Sequence, residues 1–191
     1  IQGLRDWIRR DSKLGNPALA EDVERNPNAD LKQALEWSTD VNATVQRLVR
    51  NVPPFPMVRD SLQTLRSKAD VIVVSQTPTE ALDREWREHS LTEFVRFIAG
   101  QELGTKSEHL ACATADKYAP DRVLMVGDAP GDLYAAKENS ALFFPIIPGF
   151  EESSWKRFHD DALPRFFDGG YAGVYEETLV AEFQAHLPEK A

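Results

Sequence analysis

The spacing of apolar residues changes near residue 52 of the chain. Before that point, apolar residues recur every three to four positions, which is the period of an amphipathic helix. Beyond it, continuous apolar runs of strand length alternate with stretches of helical period. Alternating strands and helices predict a mostly parallel sheet covered by helices on both faces, so we expect an α/β fold.

The first part of the chain is predicted to be entirely helical. One helix is expected from residue 1 to about residue 7, and a second over residues 17–24. Asn28 is a suitable N-cap for a third, longer helix, which carries Trp37. Trp37 is expected to pack in the core, because large aromatic side chains are buried on average.

A proline-rich segment over residues 52–56 separates the two parts of the chain. Proline lacks a backbone N–H and breaks a helix, so this segment predicts a boundary. We therefore expect a helical domain at residues 1–52 and an α/β domain at residues 53–191.

Four apolar runs in the second part predict strands with helices between and after them. The strands are predicted at residues 71–74, 97–99, 123–126 and 142–147. The helices are predicted at residues 58–67, 81–89, 106–118 and 133–138, with two more after Phe150. Pro145 lies inside the last run and cannot donate to a neighbouring strand, which predicts that this strand lies at a sheet edge.

The third predicted strand ends abruptly at Gly127, which is followed by Asp128 and, four residues later, Asp132. Open parallel sheets bind their ligands at the carboxyl ends of their strands, where Asp128 is expected. These two carboxylates could cap the following helix and favour its positive end, or they could hold a metal ion. The motif taken alone leaves both interpretations open.

Ser75 and Gln76 follow the first predicted strand. Thr77 and Glu80 have the spacing of a capping box, which would assign Thr77 to the start of the next helix and leave Ser75 and Gln76 in the loop. A hydroxyl group near free backbone N–H groups suits a phosphate oxygen, although an ordinary turn serine has the same pattern.

Lys106 is predicted to lie in the first turn of a helix, because Thr105 and Glu108 have the spacing of a capping box. A cation is unfavourable there by about 0.3–1 kcal/mol, because the amino end of a helix carries partial positive charge. Lys106 is therefore either solvated or placed beside an anion. If it meets Asp128 and Ser75 at one edge of the sheet, Mg²⁺ and Lys106 together would neutralise a phosphoryl group.

The order of these elements resembles motifs two, three and four of the haloacid dehalogenase (HAD) superfamily. Motif two is an apolar strand followed by Ser75, motif three is Lys106, and motif four is an apolar strand followed by Gly127, Asp128 and Asp132.

This resemblance covers residues 53 to about 149 and implies a three-layer, Rossmann-like HAD core. The segment at residues 53–65 is also similar to the one that precedes motif two in phosphoglycolate phosphatase-like members. In those members a mobile α-helical cap is inserted between motifs one and two, and residues 1–52 correspond to that cap.

The resemblance also implies a role for each residue. Ser75 would bind the transferring phosphoryl group, and Gln76 would add polar contacts. Lys106 would hold the phosphate and the attacking group. Asp128 would ligate Mg²⁺, and Asp132 would support the metal directly, through water or through Lys106.

Motif one of the family, an apolar strand that ends in Asp-x-Asp, is absent from the 191 residues. Its first aspartate attacks phosphorus to form an aspartyl-phosphate, and its second is the general acid and base. The strand is central in the family's sheet, between the strands of motifs two and four. We expect it upstream of Ile1, and we expect the chain alone to be inactive.

Composition restricts the partners. The formal net charge of −9 argues against a nucleic-acid partner, and the single cysteine fits a reducing compartment, which suggests the cytoplasm. No apolar run has the length of a membrane span. Glu176 and Glu177 are predicted to lie on a solvated face.

These features predict a Mg²⁺-dependent phosphatase that acts on a small phosphorylated metabolite. A phosphomutase of the same superfamily shares every motif described above. A third possibility is a catalytically silent domain that binds a phosphorylated ligand or a partner protein.

Overall fold

The first helices of the computed structural model are α1 (Gln2–Arg10), α2 (Asn16–Arg25) and α3 (Ala29–Leu48). The structure describes residues 2–10, 15–115 and 117–187, and of residue 46 the main chain only. The predicted start of α1 at residue 1 lies outside these residues. Asn28 caps α3 by accepting the N–H groups of Asp30 at 2.9 Å and Leu31 at 3.3 Å, so its predicted role is confirmed.

Trp37 does not lie in the core, contrary to the prediction, because 68% of it is exposed. Trp7, Leu19 and Leu31 form the buried cluster of the three helices. The Ser38 hydroxyl, on the next residue of α3, donates to Asn16 of α2 at 2.7 Å, so α2 still lies against this turn of α3. Trp37 therefore lies on an exposed face of α3, away from the buried cluster.

The remaining elements alternate between helices and strands. The helices are α4 (Val58–Leu65), α5 (Thr79–Glu88), α6 (Lys106–Thr114), α7 (Pro130–Glu138), α8 (Glu151–Arg157), α9 (Leu163–Asp168) and α10 (Val174–His186). The strands are β1 (Ile72–Val74), β2 (Phe97–Ala99), β3 (Leu124–Gly127) and β4 (Leu142–Pro145).

Helix α6 ends at Thr114, earlier than the predicted end at Tyr118. The Tyr118 hydroxyl donates instead to Asp70, just before β1, at 2.5 Å. This contact and Pro120 draw the segment away from the helix axis, since a helix usually ends before a proline.

The strands pair in parallel, as the alternating pattern predicts. Strand β1 pairs with β2, with Ile72 opposite Phe97, and β3 pairs with β4, with Leu124 opposite Leu142. Among the described residues the two pairs are not hydrogen-bonded to each other, so each forms its own two-stranded sheet. The α/β fold with parallel strands and additional helices is confirmed.

The outer edge of β4 is closed by side chains. Leu142 and Ile146 donate their N–H groups to the carbonyls of Val123, just before β3, and Gly127, at its end. The main-chain N–H and carbonyl of Phe143 therefore point away from β3. The Phe143 N–H donates to a Glu176 carboxylate oxygen at 2.8 Å, and the Tyr171 hydroxyl donates to the Phe143 carbonyl at 2.7 Å. Pro145 lies on this edge strand, as predicted, and because it lacks an N–H it leaves no donor unpaired there. Glu176 is half-buried, so its predicted solvated position is wrong, whereas Glu177 is exposed.

Both faces of β4 are packed against helices. Leu142, Phe144 and Ile146 contact a cluster from α8 to α10 on one side. Phe143 contacts β3, α6, α7 and α10 residues on the other side. The result is a layered core in which β4 is buried at every position.

Helices α8 and α9 form one continuous rod through a π-helical turn, Phe158–Ala162. Pro164 lacks a backbone N–H, and in a regular α-helix its ring would clash with the carbonyl of Asp160. The wider π-turn removes this clash. Within residues 2–10, 15–115 and 117–187, no helix is both long enough and apolar enough to cross a membrane.

Candidate active site

Lys106 and Asp132 form an ion pair between α6 and α7. Lys106 Nζ donates to Asp132 Oδ1 at 2.5 Å, and the two side chains are 22% and 4% exposed. The Thr105–Glu108 capping box that was predicted is present, with bonds of 2.8 Å and 3.2 Å, and it fixes Lys106 as the first residue of α6. The anion needed beside Lys106 is therefore Asp132.

Asp132 is held by a second contact and by a close approach to β3. Its other carboxylate oxygen accepts the Ala129 N–H at 3.0 Å, which satisfies a free donor at the start of α7. A Cβ atom at Gly127 would lie 2.3 Å from Cγ of Asp132. Only glycine at the end of β3 leaves room for this carboxylate.

Asp128 differs from Asp132 in its surroundings. It is exposed, in the turn between β3 and α7, and its carboxylate has no hydrogen bond or ion pair among the described residues. No group of three or more His, Cys, Asp or Glu side chains in the described part of the chain could hold a metal ion. The site as described therefore offers one uncommitted carboxylate.

Ser75 lies directly after β1, as predicted. Its N–H donates to the Ala99 carbonyl at 2.9 Å, and its hydroxyl oxygen accepts the Thr77 N–H at 3.1 Å. Gln76 is exposed beside it. A hydroxyl group that accepts this bond keeps its own hydrogen for another acceptor.

The predicted capping box of Thr77 and Glu80 is wrong. Helix α5 begins at Thr79, and Pro78 occupies the N-cap position with φ −55° and ψ 136°. The Thr79 N–H and hydroxyl both donate to Glu102, at 3.1 Å and 2.9 Å. A side chain distant in the sequence thus takes the place of the local cap.

Glu102 and Gly100 are the residues that sequence reasoning missed. Gly100 follows β2 as Gly127 ends β3, and a Cβ atom there would lie 2.4 Å from the Thr79 hydroxyl oxygen. For Gly100, the sequence signal is a glycine directly after a predicted strand. No pattern in the sequence indicates that Glu102 accepts these bonds, because its role depends on the contact between two loops.

The structure brings together only some of the predicted residues. Lys106 and Asp132 are in contact, and Asp128 lies in the turn just before Asp132. No hydrogen bond or ion pair links Ser75 to Lys106 or Asp128 among the described residues. What Ser75 and Asp128 have in common is that each follows a parallel strand, Ser75 after β1 of one sheet and Asp128 after β3 of the other.

The fold and the site define an α/β protein with polar and charged residues placed after parallel strands. A family model of haloacid dehalogenase-like hydrolases matches residues 16–144, more than half of the 191 residues and every candidate site residue. The chain therefore belongs to the haloacid dehalogenase-like hydrolases. A comparison with curated proteins finds no significant match.

Proposed function

We propose that this chain carries the phosphoryl-binding residues of a Mg²⁺-dependent phosphatase that acts on a small phosphorylated metabolite. The observation that carries the proposal is the Lys106–Asp132 pair. A lysine ammonium group has three N–H donors, and Asp132 takes one of them. Lys106 remains partly exposed, so its other donors are available to a phosphoryl oxygen.

Ser75 supplies a second donor in this proposal. Because its oxygen accepts the Thr77 N–H, its hydroxyl hydrogen can point to a phosphoryl oxygen. The exposed amide of Gln76 adds a polar contact beside it.

Asp128 is the residue that would hold Mg²⁺ directly. Mg²⁺ binds one or two carboxylates together with waters and phosphate oxygens, which fits an uncommitted carboxylate at a strand end. Asp132 uses both oxygens for Lys106 and Ala129, so in this proposal it acts through Lys106. When bound, the metal ion would neutralise charge on the phosphoryl group.

The attacking carboxylate is proposed to come from a further strand between β1 and β3. Two features support this position: β1 and β3 each have one partner among the described strands, and most of their residues are only half-buried. By family resemblance, an aspartate oxygen attacks phosphorus, and the bond from phosphorus to the leaving oxygen breaks. The second aspartate gives that oxygen a proton and then takes one back from the water that attacks phosphorus. The bond from phosphorus to the first aspartate then breaks, which releases phosphate and restores that aspartate.

The helical part of the chain is proposed to be the cap domain, with residues 1–52 as the cap and residues 53–191 as the core. A cap would exclude water during transfer and select the leaving group. The net charge of −9 favours a small substrate over a nucleic acid, and the single cysteine favours a cytoplasmic location.

One observation favours a second candidate, a silent domain that binds a phosphorylated ligand. The 191 residues contain no Asp-x-Asp, and the described part of the chain has no group of three metal-ligating side chains. Such a domain would use Ser75, Lys106 and Asp128 for binding only.

The coding frame upstream of Ile1 distinguishes the two candidates. We expect an Asp-x-Asp after four or five apolar residues, and we expect the protein extended through that frame to hydrolyse an aryl phosphate with Mg²⁺. Replacement of the first aspartate of that motif by asparagine should abolish turnover, and the 191-residue chain should have none. A start codon immediately before Ile1, or Mg²⁺-dependent turnover by the 191-residue chain, would contradict the proposed function.

A further inference from the structure

The loop that follows β2 lies against the loop that carries Ser75. Gly100 makes the closest approach, because a Cβ atom there would lie 2.5 Å from the Thr79 nitrogen and 2.7 Å from the Thr77 carbonyl oxygen. The Gln101 N–H also donates to that carbonyl at 3.1 Å. The backbones of the two loops are therefore in direct contact.

Glu102 adds a side-chain acceptor to this contact. A single carboxylate oxygen receives both the N–H and the hydroxyl of Thr79. Burial raises the pKa of Glu102, but the N–H groups of Glu102 and Thr79 and the Thr79 hydroxyl outweigh it, so the pKa lies below its ordinary value. The folded protein thus stabilises the charged acceptor.

The same loop leads directly to Lys106. It begins at Gly100, after β2, and ends at Thr105, whose capping box with Glu108 fixes the first turn of α6. One short segment therefore contacts the Ser75 loop at its first end and sets the position of Lys106 at its other end.

We propose that Glu102 is a positioning residue, which sets the Ser75 hydroxyl relative to Lys106 by anchoring Thr79. That Ser75 and Lys106 together bind a phosphoryl group rests on the proposed function. The anchoring of Thr79 by Glu102 does not depend on that function, so the anchoring and the function can be tested separately.

Amide hydrogen exchange over residues 75–81 tests the anchoring in the 191-residue chain. Glu102→Ala should raise the exchange rate of the Thr79 amide about tenfold, because hydrogen bonds to a charged acceptor are lost. Glu102→Gln keeps an oxygen acceptor and should raise the rate less. Glu93→Gln makes the same chemical change in an exposed ion pair with Arg66 and should leave the rate unchanged.

Thr79→Val guards against a simple folding defect, since it removes the hydroxyl donor and keeps a similar shape. In the double variant, Thr79→Val with Glu102→Gln, the exchange rate of the Thr79 amide should rise by less than the product of the two single-variant increases. Exchange rates that are equal in wild type and Glu102→Ala, or effects that multiply fully, would overturn the anchoring.

Turnover tests the consequence for Ser75 in the protein extended upstream of Ile1. Glu102→Ala should lower kcat about tenfold and change KM less, with partial recovery in Glu102→Gln, because a displaced donor weakens transition-state contacts. Faster exchange with unchanged kcat would overturn the positioning role. If the wild-type protein has no turnover, the proposed function fails, and the exchange data alone then decide whether Glu102 anchors the loop.

Discussion

In the β3–β4 pair, β4 is buried at every position, whereas in the β1–β2 pair every residue of β1 is only half-buried. Phe143 and Phe144 of β4 are each 1% exposed, but Phe97 of β2 is 55% exposed. The β4 edge is also closed by Glu176 and Tyr171. The β3–β4 half is therefore held mainly by apolar packing.

Polar contacts have a larger part in holding the β1–β2 half. Asp70 accepts bonds from Tyr118 at 2.5 Å and from Arg96 at 2.9 Å, and Glu102 anchors Thr79. The bonds from Tyr118 and Arg96 hold the pKa of the exposed Asp70 below its usual value. The exposed ion pair of Arg96 with Asp70 contributes little to the free energy of unfolding.

The two halves carry different parts of the candidate site. Asp128 and Asp132 stand on the packed half, and Ser75 stands on the polar half. We infer that the position of the carboxylates depends on the global fold, whereas the position of Ser75 depends on a few local bonds.

The largest expected effect comes from a change in the packed half. Phe144→Ala should lower the free energy of unfolding by about 3–5 kcal/mol, because it opens a cavity in a fully packed cluster. Phe97→Ala in β2 should cost less than about 1 kcal/mol, since the ring is half exposed. Urea unfolding measures both, and equal losses would contradict the difference between the halves.

Removal of the Lys106 charge should be the next largest effect. Lys106→Ala leaves the buried Asp132 carboxylate without its counter-ion and should cost about 2–3 kcal/mol. Lys137→Ala, an exposed lysine on α7, should change the unfolding free energy by less than about 0.5 kcal/mol. A Lys106→Ala loss as small as that of the control would show that the pair is not structural.

Two glycines, one at the end of β3 and one in the first turn of α7, test the account of Asp132. Gly127→Ala should cost about 2 kcal/mol, because the new Cβ would overlap the Asp132 carboxyl. At Gly131, in α7, a Cβ would meet nothing within 4 Å, so Gly131→Ala should stabilise the helix by about 0.5–1 kcal/mol. Thermal unfolding of both variants checks this, and a neutral Gly127→Ala would argue against the close approach.

The smallest effect is a pH dependence at the closed edge. Burial raises the pKa of Glu176 above its ordinary value of 4.5, and the Phe143 N–H only partly offsets this. The folded protein therefore binds this proton more tightly, and the stability from Glu176 is present below the unfolded pKa and lost as pH rises through the folded pKa.

Urea unfolding at a series of pH values measures this effect. The quantity compared is the unfolding free energy of wild type minus that of Glu176→Gln. The difference in unfolding free energy should fall as pH rises from about 4.5 through the folded pKa and then become constant. A difference that rises with pH would reverse the assigned sign.

Periodicity and capping patterns were sufficient for the order of helices and strands. They placed Asn28 and Lys106 correctly, because these caps are formed by residues close in sequence. They failed at Thr77, where Glu102 of another loop replaces the local cap, and at Trp37, which lies on an exposed face of α3. These outcomes depend on which segments meet in space, and the pattern within one segment carries no information on that.

The same distinction applies to the candidate site. The positions of Ser75 and Asp128 after strands followed from short apolar runs and from the rule that parallel strands share one edge. The pairing of Lys106 with Asp132, and the need for glycine at position 127, required side-chain geometry. The sequence therefore predicts where the candidate residues lie along the chain, and the structure shows which of them contact one another.

The most direct test of the proposed function is the turnover of an aryl phosphate at saturating Mg²⁺. It compares Asp128→Asn with Asp121→Asn in the protein extended upstream of Ile1. Both variants change an exposed aspartate, one after the carboxyl end of β3 and the other before its amino end. Asp128→Asn should lower kcat/KM by at least about 100-fold, because the metal ligand is lost. Asp121→Asn should stay within about twofold of wild type. Near-wild-type turnover by Asp128→Asn would contradict the assignment of Asp128 as the metal ligand.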